Sequence, residues 1–200
     1  QPALFVGWGA VRARQQLIEL AELLAAPVAT TLQGVSSFPG EHPLHTGMSF
    51  GGAAVAAARK TVGESDCLLA VGTRFAEIAT GSYSVEPPSE LIHIDINPQV
   101  FNANYPASVA IQGDAGEVLD ALLIELRRVL SERTNNGADP LQDNTAERVK
   151  SIAKLKLKTQ KEWLAGGDSS RVNPAKFFTA LRAKLESDAV VVADDGNHTF

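Results

Sequence analysis

Ser65-Asp66-Cys67-Leu68-Leu69-Ala70-Val71-Gly72-Thr73-Arg74-Phe75 is an apolar run with a polar turn before it and a glycine directly after it. Cys67 to Val71 show no apolar–polar alternation, which is the pattern of a strand buried on both faces. Working outward, runs of the same kind recur at Ala3 to Val6, Val28 to Thr31 (opened by Pro27), Leu91 to Asp95 and Val109 to Gln112. Helical periods lie between them. Leu17, Ile18, Ala21 and Leu24 give one apolar face to a helix over Val11 to Leu24, and an alanine-rich helix is expected over Ala53 to Val62. Asp114 with Glu117 has capping-box spacing ahead of Val118, Leu119, Leu122, Leu123, Leu126, Val129 and Leu130. Strands buried on both faces and alternating with helices predict an α/β fold, an open parallel sheet flanked by helices. The Gly-, Pro- and Ser-containing stretch Gln33 to Gly52 reads as a long loop.

Beyond this core the texture changes. Ser131 to Asn144 is polar, with Asn135-Asn136-Gly137 and Asp139-Pro140, and reads as a linker. A helix over Thr145 to Leu164 carries Lys150, Lys154, Lys156, Lys158 and Lys161, the composition of a solvated face. Gly166-Gly167 breaks it, and Asn173-Pro174 offers N-cap and N1 chemistry for a helix reaching Leu185. Ala189 to Ala193 then reads as a strand running into Asp194-Asp195-Gly196-Asn197-His198. The expected organisation is a nucleotide-binding-like domain over 1–131, a linker and helix over 132–165, and the beginning of another domain over 166–200.

The 200 residues carry a net charge of −5 with 44% hydrophobic and 20% charged side chains, an ordinary globular balance without a basic block. Nucleic acid is therefore not an expected partner. No apolar stretch approaches the roughly 20 residues of a membrane span, and Gln1-Pro2-Ala3-Leu4-Phe5-Val6 leads into a strand without a signal-peptide layout. The single cysteine, Cys67, falls inside an apolar run and reads as a buried, inert thiol, in keeping with a cytoplasmic setting. His42 and His45 fall in a loop and His93 in a strand, and no second thiol exists, so no metal site is expected.

Ligands of open parallel sheets bind beyond the carboxyl ends of the strands. There the sequence places Gly7-Trp8-Gly9, a tight turn or a close approach to a diphosphate, and then Thr30, Thr31 and Leu32. Gly72-Thr73-Arg74 follows the third apolar run; Arg74 is a candidate donor to phosphate or to a surface carboxylate. Asp95 stands where a carboxylate accepts ribose hydroxyls.

Several of these segments, taken in order, resemble one family. Pro27-Val28-Ala29-Thr30-Thr31-Leu32-Gln33-Gly34, Phe38-Pro39-Gly40-Glu41-His42-Pro43-Leu44 and Thr46-Gly47-Met48 are similar to the central domain of acetolactate synthases and their relatives. So are Ser65 to Phe75 with Thr80-Gly81, and Ile92-His93-Ile94-Asp95-Ile96-Asn97-Pro98. The resemblance implies a Rossmann-like central domain within a longer thiamine-diphosphate-dependent enzyme that decarboxylates or joins 2-oxo acids. It implies thiamine diphosphate and Mg²⁺ as cofactors, neighbouring N- and C-terminal domains, and a homo-oligomer. No catalytic residue or metal ligand is then expected in this chain, and the chain alone should be inactive. For FAD or another adenine nucleotide the carry-over falls on Gly7, Gly9, Thr31, Leu32, Thr46, Gly47 and Met48. It continues on Gly72, Thr73, Arg74, Asp95, Ile96, Gly113 and Asp114. Gly196, Asn197 and His198 match a loop that contacts the diphosphate of thiamine diphosphate. Three departures stand out: Trp8 in place of a glycine, which would crowd a diphosphate, Phe75-Ala76-Glu77-Ile78 in place of Phe-Asp-Asp-Arg, and Gly47-Met48-Ser49-Phe50 in place of Gly-Met-His-Gly. Two readings stay open here: part of an enzyme that holds a nucleotide, or a non-catalytic scaffold whose nucleotide site has decayed.

Overall fold

Alternate residues of the inner strands face opposite ways, and both sets are buried. The computed structural model describes residues 1–52, 54–135, 144–167 and 170–192. Its strands are β1 (Pro2–Val6), β2 (Val28–Thr30), β3 (His45–Met48), β4 (Cys67–Val71), β5 (Glu90–Asp95) and β6 (Val109–Gln112). Leu4, Val6, Val28, Leu69, Val71 and Ile94 pack on one side of the sheet, against Leu17, Leu20 and Ala21 of α1 (Arg14–Leu23) and Leu119 and Leu123 of α3 (Ala115–Asn135). Ala3, Phe5, Ala29, Leu68, Ala70 and Leu91 pack on the other, against Ala58 and Val62 of α2 (Ala56–Gly63). A strand with helices on both faces must be apolar at every position, so the unalternated run at Cys67 to Val71 has a direct cause. Each fully buried leucine here, such as Leu68, Leu91 or Leu119, contributes about 1.5–3 kcal/mol.

All ladders are parallel, and the strand order is β3-β2-β1-β4-β5-β6. The chain winds from β1 toward β3, crosses back, and continues from β4 to β6 on the other side. The open parallel sheet read from the sequence is therefore present, with a sixth strand inside it.

That strand, β3, lies within the expected loop Gln33 to Gly52. His45-Thr46-Gly47-Met48 has no apolar run because it is an edge strand, paired only with β2. The buried Thr46 hydroxyl donates to the Val28 carbonyl at 3.0 Å. The first helix also differs in its start: a 3₁₀ turn over Trp8–Ala13 precedes α1. Helix α3 runs on through Ser131 to Asn135, and the rest of the expected linker, 136–143, lies outside the described residues.

Gln1–Leu157 form one compact unit and Lys158–Phe200 a second, the boundary falling within α4 (Thr145–Ala165). Within the first unit, Ile152 of α4 is buried in the core beside α1, and the Arg148 guanidinium donates to the Ala25 carbonyl at 2.8 Å. In the second, α5 (Pro174–Lys184) is capped by Asn173, whose side chain accepts from the Lys176 amide at 3.0 Å. The strand expected from Ala189 is not formed over residues 189–192. Val190 and Val192 are 88% and 90% exposed and pair with nothing among the described residues. A strand exists only through the neighbour that takes its backbone hydrogen bonds.

Candidate functional site

The direction of winding reverses between β1 and β4, so the loops leaving their carboxyl ends diverge and open a crevice. Three glycines hold these loops together at their base. The Gly7 amide donates to the Val71 carbonyl at 2.9 Å and the Gly9 amide to the Gly72 carbonyl at 3.0 Å. A Cβ on Gly7 would lie 2.2 Å from the Gly72 oxygen, and one on Gly72, at φ +60°, would lie 2.4 Å from the Ala10 nitrogen. The glycines thus serve the contact of one loop with the other, and the Gly7 and Gly9 amides are already engaged.

The loop after β4 is anchored from below. Phe75, at φ +51° and 2% exposed, stacks on Phe5, His93 and Tyr105 with ring centroids 5.5, 5.2 and 5.0 Å away. The Thr73 carbonyl accepts from His93 Nε2 at 2.7 Å. This contact makes Nε2 the protonated nitrogen and leaves the buried Nδ1 without a hydrogen-bond partner among the described residues. Burial pushes the His93 pKa down, against the Thr73 hydrogen bond and the Asp95 charge, which pull it up. Pinned at Thr73 and Phe75, the loop exposes Arg74, whose guanidinium has no hydrogen bond or ion pair among the described residues. After β5, Asp95 Oδ1 accepts from the Asn97 amide at 2.9 Å, which fixes the carboxylate at the strand end.

These loops wall a cleft of about 690 Å³, within the range of small-molecule sites. Gly7, Trp8 and Gly9 line it from the β1 side, with Thr31 and Gln33 after β2. Gly72, Thr73 and Arg74 line it from the β4 side, and Asp95, Asn97 and Val100 from β5. The Thr31 hydroxyl accepts from the Gly34 amide at 3.0 Å and carries no charge. Arg74 and Asp95 are therefore the charged groups that the cleft presents.

Other residues named from the sequence fall outside the cleft wall. Leu32 is half-buried beside it and Ile96 is 69% exposed. Thr46, Gly47 and Met48 belong to β3, where Gly47, at φ +105°, would bring a Cβ to 2.6 Å from Val55. The Gly113 amide donates to the Asp95 carbonyl at 3.1 Å, and Asp114 caps α3 through the Gly116 and Glu117 amides at 2.8 and 3.3 Å. Gly196, Asn197 and His198 lie outside the described residues. Sequence reasoning passed over Gln33, Ala76, Ala79, Asn97 and Val100; only Asn97, two residues beyond a strand-end aspartate, carried a signal.

A smaller cavity of about 250 Å³ lies at the amino ends of the strands, between α2 and α4. Of its charged residues, Lys60 pairs with Glu64 at 3.6 Å and Arg148 donates to the Ala25 carbonyl. Cys67 is half-buried, and burial first, then the Asp66 and Glu90 charges, push its thiol pKa up, so the thiol is not activated. Among the described residues no cluster of His, Cys, Asp and Glu suits a metal, and no helix is long and apolar enough to cross a membrane.

The family model for the thiamine pyrophosphate enzyme central domain matches residues 1–122. A probable 2-ketoarginine decarboxylase of Pseudomonas aeruginosa is 40% identical over 126 residues, covering 63% of this chain and 22% of its own length. A probable acetolactate synthase large subunit of Methanocaldococcus jannaschii is 40% identical over 129 residues, 63% of this chain and 22% of its length. The acetolactate synthase isozyme 3 large subunit of Escherichia coli K12 is 30% identical over 203 aligned residues, 99% of this chain and 33% of its length. The chain thus spans between a fifth and a third of these relatives.

Proposed function

The chain belongs to the thiamine pyrophosphate enzyme family, as its central domain, and from that premise we propose that it serves a longer enzyme acting on 2-oxo acids. The proposed reaction is decarboxylation of the 2-oxo acid, with release of CO2, and transfer of the remaining acyl carbanion equivalent to a proton or to a second carbonyl, as in acetolactate synthesis. When bound, thiamine diphosphate with Mg²⁺ would supply the electron sink for that chemistry. The residues of this chain do two other things. The sheet fixes the spacing of the neighbouring domains, and the cleft at the carboxyl ends of β1, β4 and β5 holds FAD or another adenine nucleotide. Gly196, Asn197 and His198 are proposed to contact the thiamine diphosphate.

One observation carries the nucleotide reading: Arg74 and Asp95, an uncommitted cation and a carboxylate, line the same 690 Å³ cleft at the switch point of the sheet. Arg74 suits a phosphate, and Asp95 suits the hydroxyls of a ribose. A scaffold that had lost its site would have no need of either group there. The test is CO2 release from pyruvate and from 2-ketoarginine by the longer protein that carries this chain. Release is expected only with thiamine diphosphate and Mg²⁺, and the 200-residue chain alone should give background. An equal rate without thiamine diphosphate would overturn the reading.

A further inference from the structure

The sequence Gly7-Trp8-Gly9 has a tertiary consequence that its glycines enforce. Both flanking residues are hydrogen-bonded onto the β4 loop, and a Cβ at either would lie within 2.8 Å of Gly72 backbone atoms. No room exists on that side for a side chain. The residue between them must project away from Gly72, into the cleft. Trp8 does so: it lines the cleft, is 61% exposed, and has no ring contact among the described residues. The turn holds the indole in the open, where it presents a flat apolar face beside Arg74 and Asp95.

We infer that Trp8 is the stacking platform of this cleft, which selects a mononucleotide of the ADP type rather than a dinucleotide. The inference rests on the nucleotide reading above. With the Gly7 and Gly9 amides engaged, the backbone cannot cradle a diphosphate through them, and the side chains of the cleft wall take a larger share of the ligand. Besides the side-chain amides of Gln33 and Asn97, these are an aromatic face, a guanidinium and a carboxylate. They match a base, a terminal phosphate and a ribose. In ADP the phosphates are terminal and can end at Arg74. In FAD the diphosphate is internal, and the flavin would have to continue past the indole that a glycine would have left open.

The experiment uses the 200-residue chain with Trp163→Phe, so that Trp8 is the sole tryptophan reporter. Adenosine, ADP, inorganic pyrophosphate and FAD are titrated by fluorescence and by calorimetry, with circular dichroism as the check on folding. ADP should quench Trp8 and bind more tightly than FAD. Trp8→Leu should weaken both adenosine and ADP by about tenfold or more, as expected for loss of one base–aromatic stack, and leave pyrophosphate unchanged. Trp8→Phe should restore most of the affinity, while Arg74→Gln should weaken ADP and pyrophosphate but not adenosine. If folded Trp8→Leu binds ADP like the parent while Arg74→Gln does not, the platform is refuted and the nucleotide cleft stands. Tighter binding of FAD than of ADP refutes the selection. No binding of any of the four ligands at millimolar concentration refutes both.

Discussion

Two valine-containing runs of this chain meet opposite fates. Cys67 to Val71 forms β4 in the middle of the sheet, with Leu68, Ala70 and Val71 at 0% exposure. Val190 to Val192 is as apolar, yet its side chains are 59–90% exposed and no ladder includes it among the described residues. Local propensity is similar in the two places; the difference lies in what flanks them. β4 has β1 on one side and β5 on the other, with helices covering both faces. A strand's stability is therefore a property of its neighbours, and β-propensity alone does not predict it.

The sharpest way to break this contrast is at the glycine that closes β4. Gly72→Ala places a Cβ 2.4 Å from backbone at φ +60°, where both strain and overlap act. The expected cost is about 3 kcal/mol or more. Thermal unfolding followed by circular dichroism should show loss of the cooperative transition; a melting temperature like that of the parent would show that the two loops are not held together there.

A second test moves the edge of the protected region. Chains ending at residue 157 and at residue 131 differ by residues 132–157, which include the exposed last turn of α3 and the first turns of α4; the latter bring Ile152, at 6% exposure, and the Arg148 contact to the core. The longer chain should melt with the full-length protein. The shorter should lose about 2–4 kcal/mol, the scale of losing one buried isoleucine and its neighbours. Equal melting of the two would place the proposed domain boundary back at residue 131. In the same spirit, limited proteolysis should cut around Gly166-Gly167 before it cuts within the first unit, and early cleavage inside β4 or β5 would reverse the ranking.

The third test uses pH. Burial holds the pKa of His93 below the ordinary 6.5, and burial followed by the Lys156 charge does the same for His45. The native state thus keeps both rings neutral, while the unfolded chain takes up protons first on acidification. Their stabilising contribution is complete above about pH 6.5 and falls as pH drops through that value toward the folded pKa values. For His93 the slope should approach, at most, about 1.4 kcal/mol per pH unit, and His93→Gln should flatten it in denaturant titrations between pH 7 and 5. An unchanged slope in the variant would remove His93 from the account. The smallest effect is expected at the exposed run: Val191→Ser should shift stability by no more than about 0.5 kcal/mol. A larger loss would mean that this run is held by something the comparison has overlooked.

Much of this architecture was legible in the residues. The five apolar runs appear as β1, β2, β4, β5 and β6 within about one residue of their expected ends; double-sided burial explains the pattern of β1, β2 and β4, while β6 is an exposed edge strand. Strand β3 was not legible, because an edge strand with Thr46 and Gly47 needs no apolar code. The strand at Ala189 was overread for the complementary reason: an apolar run does not announce its partner. The strand-end rule pointed to Arg74 and Asp95, which line the cleft, since position along a strand is a sequence property. It gave no reason to separate them from Gly47, Met48 or Asp114, which end other strands of the same sheet.

By itself the sequence determined a parallel α/β sheet, the helices between its strands, and membership of a thiamine pyrophosphate enzyme family, because periodic burial and ordered motifs are written along the chain. The tertiary structure alone decided which strand ends converge and what the glycines do there. The strand order sets Gly7 and Gly9 against Gly72, a contact between residues more than sixty positions apart. That contact engages the glycine amides and turns Trp8 outward beside Arg74. Close packing of two backbones is a property of distance in space, and no local pattern records it.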